Sequence, residues 1–154
     1  PCLKQMVEVY ETTKRPVVAI RRVPRDEVSS YGIIQGKPLG GGLWEVSDLV
    51  EKPAPEDAPS DLAVIGRYIL PPEIFPVLED LEPGRGGEIQ LTDALRVLAQ
   101  AEPIIGYEFK GIRYDVGTPK GLLIATIEMA LSREDLGEEL EQYLADLVRR
   151  RNLT

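Results

Sequence analysis

The sequence predicts an α/β fold with a mixed, mostly parallel sheet flanked by helices, on three observations. Short β-like runs alternate with helix-like segments along the 154 residues, which is the pattern of α/β architecture. Val17-Val18-Ala19-Ile20 and Leu62 to Leu70 are nearly continuous apolar runs, as expected of strands covered on both faces. Gly111 to Pro119 reads as a strand end, one acidic residue and a turn into a helix, with Thr118 as N-cap and Pro119 at the first helical position. That pattern places Asp115 at the carboxyl end of a strand, the rim where ligands bind in open α/β sheets.

The elements follow in order. Pro1 to Thr13 carries Leu3, Met6, Val7 and Tyr10 on one helical face, and Lys14-Arg15-Pro16 stops that helix. The Val17–Ile20 strand comes next, so the chain opens as the second half of a βαβ crossover. Pro24 to Val28 is a polar turn, and Tyr31 to Val50 reads as a long hairpin around Gly40-Gly41-Gly42. Ala54 to Asp61, rich in proline and acid, is an exposed loop. Leu62 to Leu70 is the central strand. Pro71-Pro72 then opens a short helix with Ile74, Phe75, Leu78 and Leu81, limited by Pro76.

Gly84-Arg85-Gly86-Gly87 links to a helix marked by Leu91, Ala94, Leu95 and Leu98. Ile104 to Phe109 alternates as a strand. The helix after Pro119 is expected to bury Leu123, Ile127, Ala130 and Leu131. Arg133 to Gly137 breaks it, and a last amphipathic helix carries Leu140, Tyr143, Leu144, Leu147 and Val148. Glu138 and Glu139 open that helix and Arg149, Arg150 and Arg151 close it, as the helix dipole favours. The expected organisation is one domain over residues 1–154, with C-terminal helices over 119–151.

Composition excludes several classes of function. A net charge of −8 argues against a nucleic-acid partner. No apolar run approaches a membrane span and no signal peptide opens the chain, which argues against a membrane partner. A single cysteine, Cys2, fits a reducing compartment, and the cytoplasm is the expected location. Histidine is absent, which removes histidine-based triads, acid–base catalysis and the usual zinc sites. Chemistry here must use carboxylates, lysine, arginine, backbone dipoles or an oxygen-ligated metal.

Four features are candidates. Glu51-Lys52 stands where a strand meets a Pro-rich loop. Successive strand residues face opposite ways, so one can bond a polyol and the other a phosphate, although a solvated strand end is the commoner reading of such a pair. Gly32, inside a strand pattern, marks either a bulge or a close backbone approach to a ligand. Gly84-Arg85-Gly86-Gly87 has neither P-loop lysine nor dinucleotide spacing and reads as a flexible connector. Asp115 either caps its turn or serves Mg²⁺, which takes few protein ligands and completes its octahedron with water and phosphate.

Five segments in this order resemble the bacterial UTP–glucose-1-phosphate uridylyltransferases, also called UDP-glucose pyrophosphorylases. They are Val23–Val28 with Tyr31–Ile34, Leu49-Val50-Glu51-Lys52-Pro53, Leu62–Leu70, Gly86-Gly87-Glu88-Ile89-Gln90-Leu91-Thr92-Asp93-Ala94-Leu95, and Arg113-Tyr114-Asp115-Val116-Gly117. The resemblance covers essentially the whole chain. It implies a Rossmann-like nucleotidyltransferase fold and the joining of UTP to glucose 1-phosphate with release of pyrophosphate. It also implies that Gly32, Glu51 and Lys52 hold the sugar and its phosphate, that Val64 and Gly66 line the sugar pocket, and that Asp115 is the second metal-binding aspartate, for Mg²⁺.

The glycine-rich nucleotide loop and the first metal carboxylate of that family do not occur in these residues. The resemblance therefore implies a C-terminal portion that does not turn over by itself. Helical C-terminal segments in the family build subunit interfaces, which implies a homo-oligomer, a dimer or a tetramer. The hexapeptide repeats of the related ADP-glucose enzymes are absent. The alternatives are a thymidylyl-type nucleotidyltransferase and a non-catalytic dimerisation or regulatory module.

Overall fold

The computed structural model describes residues 1–84 and 87–152. The chain divides into two compact units, Pro1–Gly111 and Ile112–Thr154. The first holds helix α1 (Cys2–Thr13), strands β1 (Val17–Arg22), β2 (Gly32–Gly40), β3 (Leu43–Glu51) and β4 (Leu62–Ile69), helices α2 (Ile74–Glu79) and α3 (Leu91–Ala101), and strand β5 (Ile104–Glu108). The second holds α4 (Pro119–Leu131) and α5 (Gly137–Arg150).

The five strands close into a barrel in the order β1-β4-β2-β3-β5. Among the described residues only β1 and β5 run parallel; the pairs β1–β4, β2–β4, β2–β3 and β3–β5 are antiparallel. The expected mostly parallel sheet is thereby corrected to a mixed, mainly antiparallel one. A long connection permits a parallel pair without requiring one: β3 and β5, separated by β4, α2 and α3, still pair antiparallel. β2 and β3 are joined instead by a two-residue loop. Gly41 and Gly42 sit there at φ 62° and 81°, the positive values that a tight primed turn requires.

β1 is buried on both faces, as its apolar run predicts. Val18 and Ile20 face a core with Ile34, Val46, Leu49, Leu62, Val64, Leu95, Ala99 and Ile104, while Val17 and Ala19 face Met6 and Ile105. α3 closes the first cluster through Leu95 and Ala99. α1 closes the second through Met6, one of the four expected residues, with Cys2 and Val9 packed beside it, whereas the other three, Leu3, Val7 and Tyr10, are exposed. Cys2-Met6-Val9 and Leu3-Val7-Tyr10 share the same spacing, so periodicity alone does not choose between them.

Two further expectations are corrected in the second unit. Leu123 and Ile127 of α4 are exposed, and Ala125 is the helix's buried residue. Residues 112–115 form no strand, because β5 ends at Glu108 and Gly111, at φ 137°, turns the chain out of extended geometry. The Thr118 cap and Pro119 start are as expected, with Thr118 Oγ1 accepting from the Gly121 N–H at 3.1 Å. Among the described residues, no helix is long and apolar enough to cross a membrane.

Candidate functional site

The open end of the β2–β3 hairpin gathers three of the sequence-predicted residues. Gly32 and Glu51 are register partners, and the Lys52 N–H continues the pairing by donating to the Tyr31 carbonyl at 2.9 Å. Lys52 then takes φ 46°, a left-handed conformation uncommon for a side-chain-bearing residue. This corrects the expectation that Glu51 and Lys52 face opposite ways. Alternation requires extended backbone, and with it broken Lys52 Nζ lies 3.5 Å from Glu51 Oε1.

Glu51 is held from its other side as well. Its Oε2 accepts a hydrogen bond from Thr92 Oγ1 at 2.5 Å, and only 16% of its side chain is exposed. Thr92 lies in the first turn of α3, so the barrel and its covering helix meet at this carboxylate. Gly32 makes room for that meeting. A Cβ there would stand 3.0 Å from Thr92 Oγ1 and 3.2 Å from Glu51 Oε2, so any larger residue pushes the pair apart. The glycine thus accommodates the chain's own Thr92 and Glu51 side chains. Tyr68 completes the surroundings: burial chiefly, and the nearby Glu51 charge, push its phenol above the ordinary value of 10.0, keeping it a neutral donor.

Val64 and Gly66 are placed differently. Val64 is 8% exposed and packs in the core cluster with Leu49, Tyr68 and Leu91. Gly66 is an exposed position at φ 73° with open space where a Cβ would be. Thr92 and Tyr68 join the site through the folded structure alone. Thr92 stands within the Gly86–Leu95 segment, but its tie to Glu51 spans strand and helix and leaves no local pattern. Arg85 and Gly86 of the glycine-rich link lie outside the described residues.

Asp115 belongs to the second unit. Its Oδ1 accepts from the Gly117 N–H at 3.0 Å, and the side chain is exposed just before the α4 N-terminus. A Cβ on Gly121 would fall 1.7 Å from the Asp115 carbonyl oxygen, so the first turn of α4 folds tightly over this residue. Among the described residues, no group of three or more His, Cys, Asp or Glu side chains could hold a metal ion. A single exposed carboxylate suits a cation that keeps most of its shell as water and phosphate oxygen.

The sequence matches the nucleotidyl transferase family model over residues 2–131. This chain belongs to that family. It is 49% identical over 148 residues to a UTP–glucose-1-phosphate uridylyltransferase of Streptococcus pneumoniae, covering 96% of this chain and 50% of the relative. It is 48% identical over 149 residues to one of Streptococcus pyogenes, covering 96% of this chain and 49% of the relative. The fold is similar to that of a UDP-glucose pyrophosphorylase crystallised with UDP-glucose, with TM-score 0.79 and 50% identity over 86% of this chain and 50% of that one. It is also similar to a UTP-bound enzyme of the same kind from Acinetobacter baumannii, with TM-score 0.79 and 33% identity over 94% of this chain and 50% of that one. The resemblance read from the five segments is borne out, and the chain spans about half the length of the curated relatives it matches.

Proposed function

We propose that this chain supplies the sugar-phosphate-binding part of a uridylyltransferase that makes UDP-glucose and pyrophosphate from UTP and glucose 1-phosphate. The observation that carries the reading is the Gly32–Glu51–Thr92 contact, a nearly buried carboxylate anchored on one oxygen in a chain whose relatives bear that activity. Glu51 accepts hydrogen bonds from glucose hydroxyls. Being anchored, it loses little freedom when the sugar arrives. The Gly32 backbone, register partner of Glu51, meets the sugar, and the glycine leaves room beside it for the Glu51–Thr92 contact. Lys52, with its side chain 47% exposed, exchanges its Glu51 contact for the sugar phosphate, a partner with more charge. Val64 and Gly66 border the sugar pocket.

Asp115 would hold Mg²⁺, which when bound neutralises phosphate charge. In the transfer, an oxygen of glucose 1-phosphate attacks the α-phosphorus of UTP, and the bond to pyrophosphate breaks. This chain's share is to hold the glucose 1-phosphate in line for that attack, which is a positioning role. Calorimetric titration of UDP-glucose into the 154-residue chain tests the reading. Saturable binding that Glu51→Ala and Lys52→Ala each weaken supports it; absence of binding, or binding indifferent to both substitutions, contradicts it.

A further inference from the structure

The barrel unit ends at Phe109-Lys110-Gly111, and one side chain grips that exit. Gln5, half-buried on α1, donates from Nε2 to the Lys110 carbonyl at 2.9 Å. Its Oε1 accepts from the Lys110 N–H, also at 2.9 Å, and from the Tyr107 hydroxyl at 3.1 Å. The carboxamide thus gives Lys110 the same pair of bonds that a neighbouring strand gives a residue in a ladder. β5 has already ended at Glu108, so this contact extends backbone pairing past the strand. Gly111 follows at φ 137°, a conformation that glycine alone adopts readily, and the segment bearing Asp115 begins there.

We propose that Gln5 is a positioning residue: its carboxamide fixes the root from which the Asp115 segment departs. The inference rests on the reading of Asp115 as the metal carboxylate. A flexible root spreads the carboxylate over many positions, and each has to be given up again when ion and phosphate are bound. Glutamine fits this place because it alone offers a donor and an acceptor at this side-chain length. α1 does not need the contact to stay docked, since Met6 is fully buried against β1 and β5.

The test uses the 154-residue chain with Gln5→Met, which keeps the length and removes every polar atom, and Gln5→Glu, which keeps the two acceptor contacts. Two quantities are read: amide exchange and tryptic cleavage at Lys110, and the gain in UDP-glucose affinity on adding Mg²⁺. Gln5→Met is expected to speed exchange and cleavage at Lys110 by about tenfold. It should cut the Mg²⁺-dependent gain severalfold and leave metal-free UDP-glucose affinity and the thermal midpoint near those of the parent. Gln5→Glu should recover most of the protection. Unchanged protection in Gln5→Met, or lost protection with the Mg²⁺-dependent gain intact, overturns the proposal. A parent chain with no Mg²⁺-dependent gain contradicts the Asp115 reading on which it rests, and the exchange data then show separately whether Gln5 grips Lys110.

Discussion

α3 and α4 obey the same local rules and meet different fates. Each starts at a recognisable boundary, has apolar residues along its length and runs for about three turns. α3 lies on a closed barrel, with Ala94, Leu95 and Ala99 buried. α4 belongs to a unit without a sheet, and Leu122, Leu123, Ile124, Ile127 and Met129 are exposed. A helix apolar on every side is normally an interior helix. Local sequence therefore decides that a helix forms, while burial depends on what surface its neighbours offer.

The largest difference should come from deleting an apolar side chain in each helix. Leu95→Ala opens a cavity in the barrel core and should cost about 2–5 kcal/mol. Leu123→Ala, at a position 65% exposed, should stay within about 0.5 kcal/mol. Urea unfolding of both variants checks the contrast, and equal losses would erase it.

Glu51→Ala comes next. If the anchored carboxylate accepts sugar hydroxyls as proposed, removing it should weaken UDP-glucose by about 10- to 100-fold, measured by calorimetry, and leave UDP affinity alone. Thr92→Val removes the anchor and not the acceptor, so about a three- to tenfold loss is expected, restored by Thr92→Ser. On a Glu51→Ala background the Thr92 substitution should have no further effect, since the pair acts as one unit.

The smallest effect concerns pH. Tyr68 has a folded-state pKa raised above 10.0 by burial and by Glu51, so the folded chain holds this proton more tightly than the unfolded chain. The stability it contributes is fully present below about pH 10 and is lost as pH rises through the folded value. Tyr68→Phe should flatten that alkaline decline. Unfolding free energies at neutral and strongly alkaline pH measure it.

The β2–β3 hairpin, the doubly buried β1, the α3 face and the Thr118 cap were legible because each is a local pattern with its own period or turn chemistry. The strand directions were not. β1 and β5 pair in parallel, while β1 and β4 do not, and nothing in an apolar run states which way its neighbour will lie. Local chemistry raised Glu51, Lys52 and Gly32 as candidates, but a solvated strand end was the commoner reading of the pair and a bulge an equal reading of the glycine, so it was the ordered segments that favoured them. Their geometry was hidden by the left-handed turn at Lys52, which no residue type announces when the residue is not glycine. Thr92 and Gln5 act over gaps in sequence that only the folded chain closes.

Chemical-shift mapping with UDP-glucose tests most directly the claim that the hairpin end holds the sugar phosphate. The backbone amides of Gly32, Glu51, Lys52 and Thr92 should move together and saturably, while those of the opposite hairpin turn, Gly41 and Gly42, stay in place. Shifts confined to other surfaces, or none at these four amides at saturation, would contradict the account.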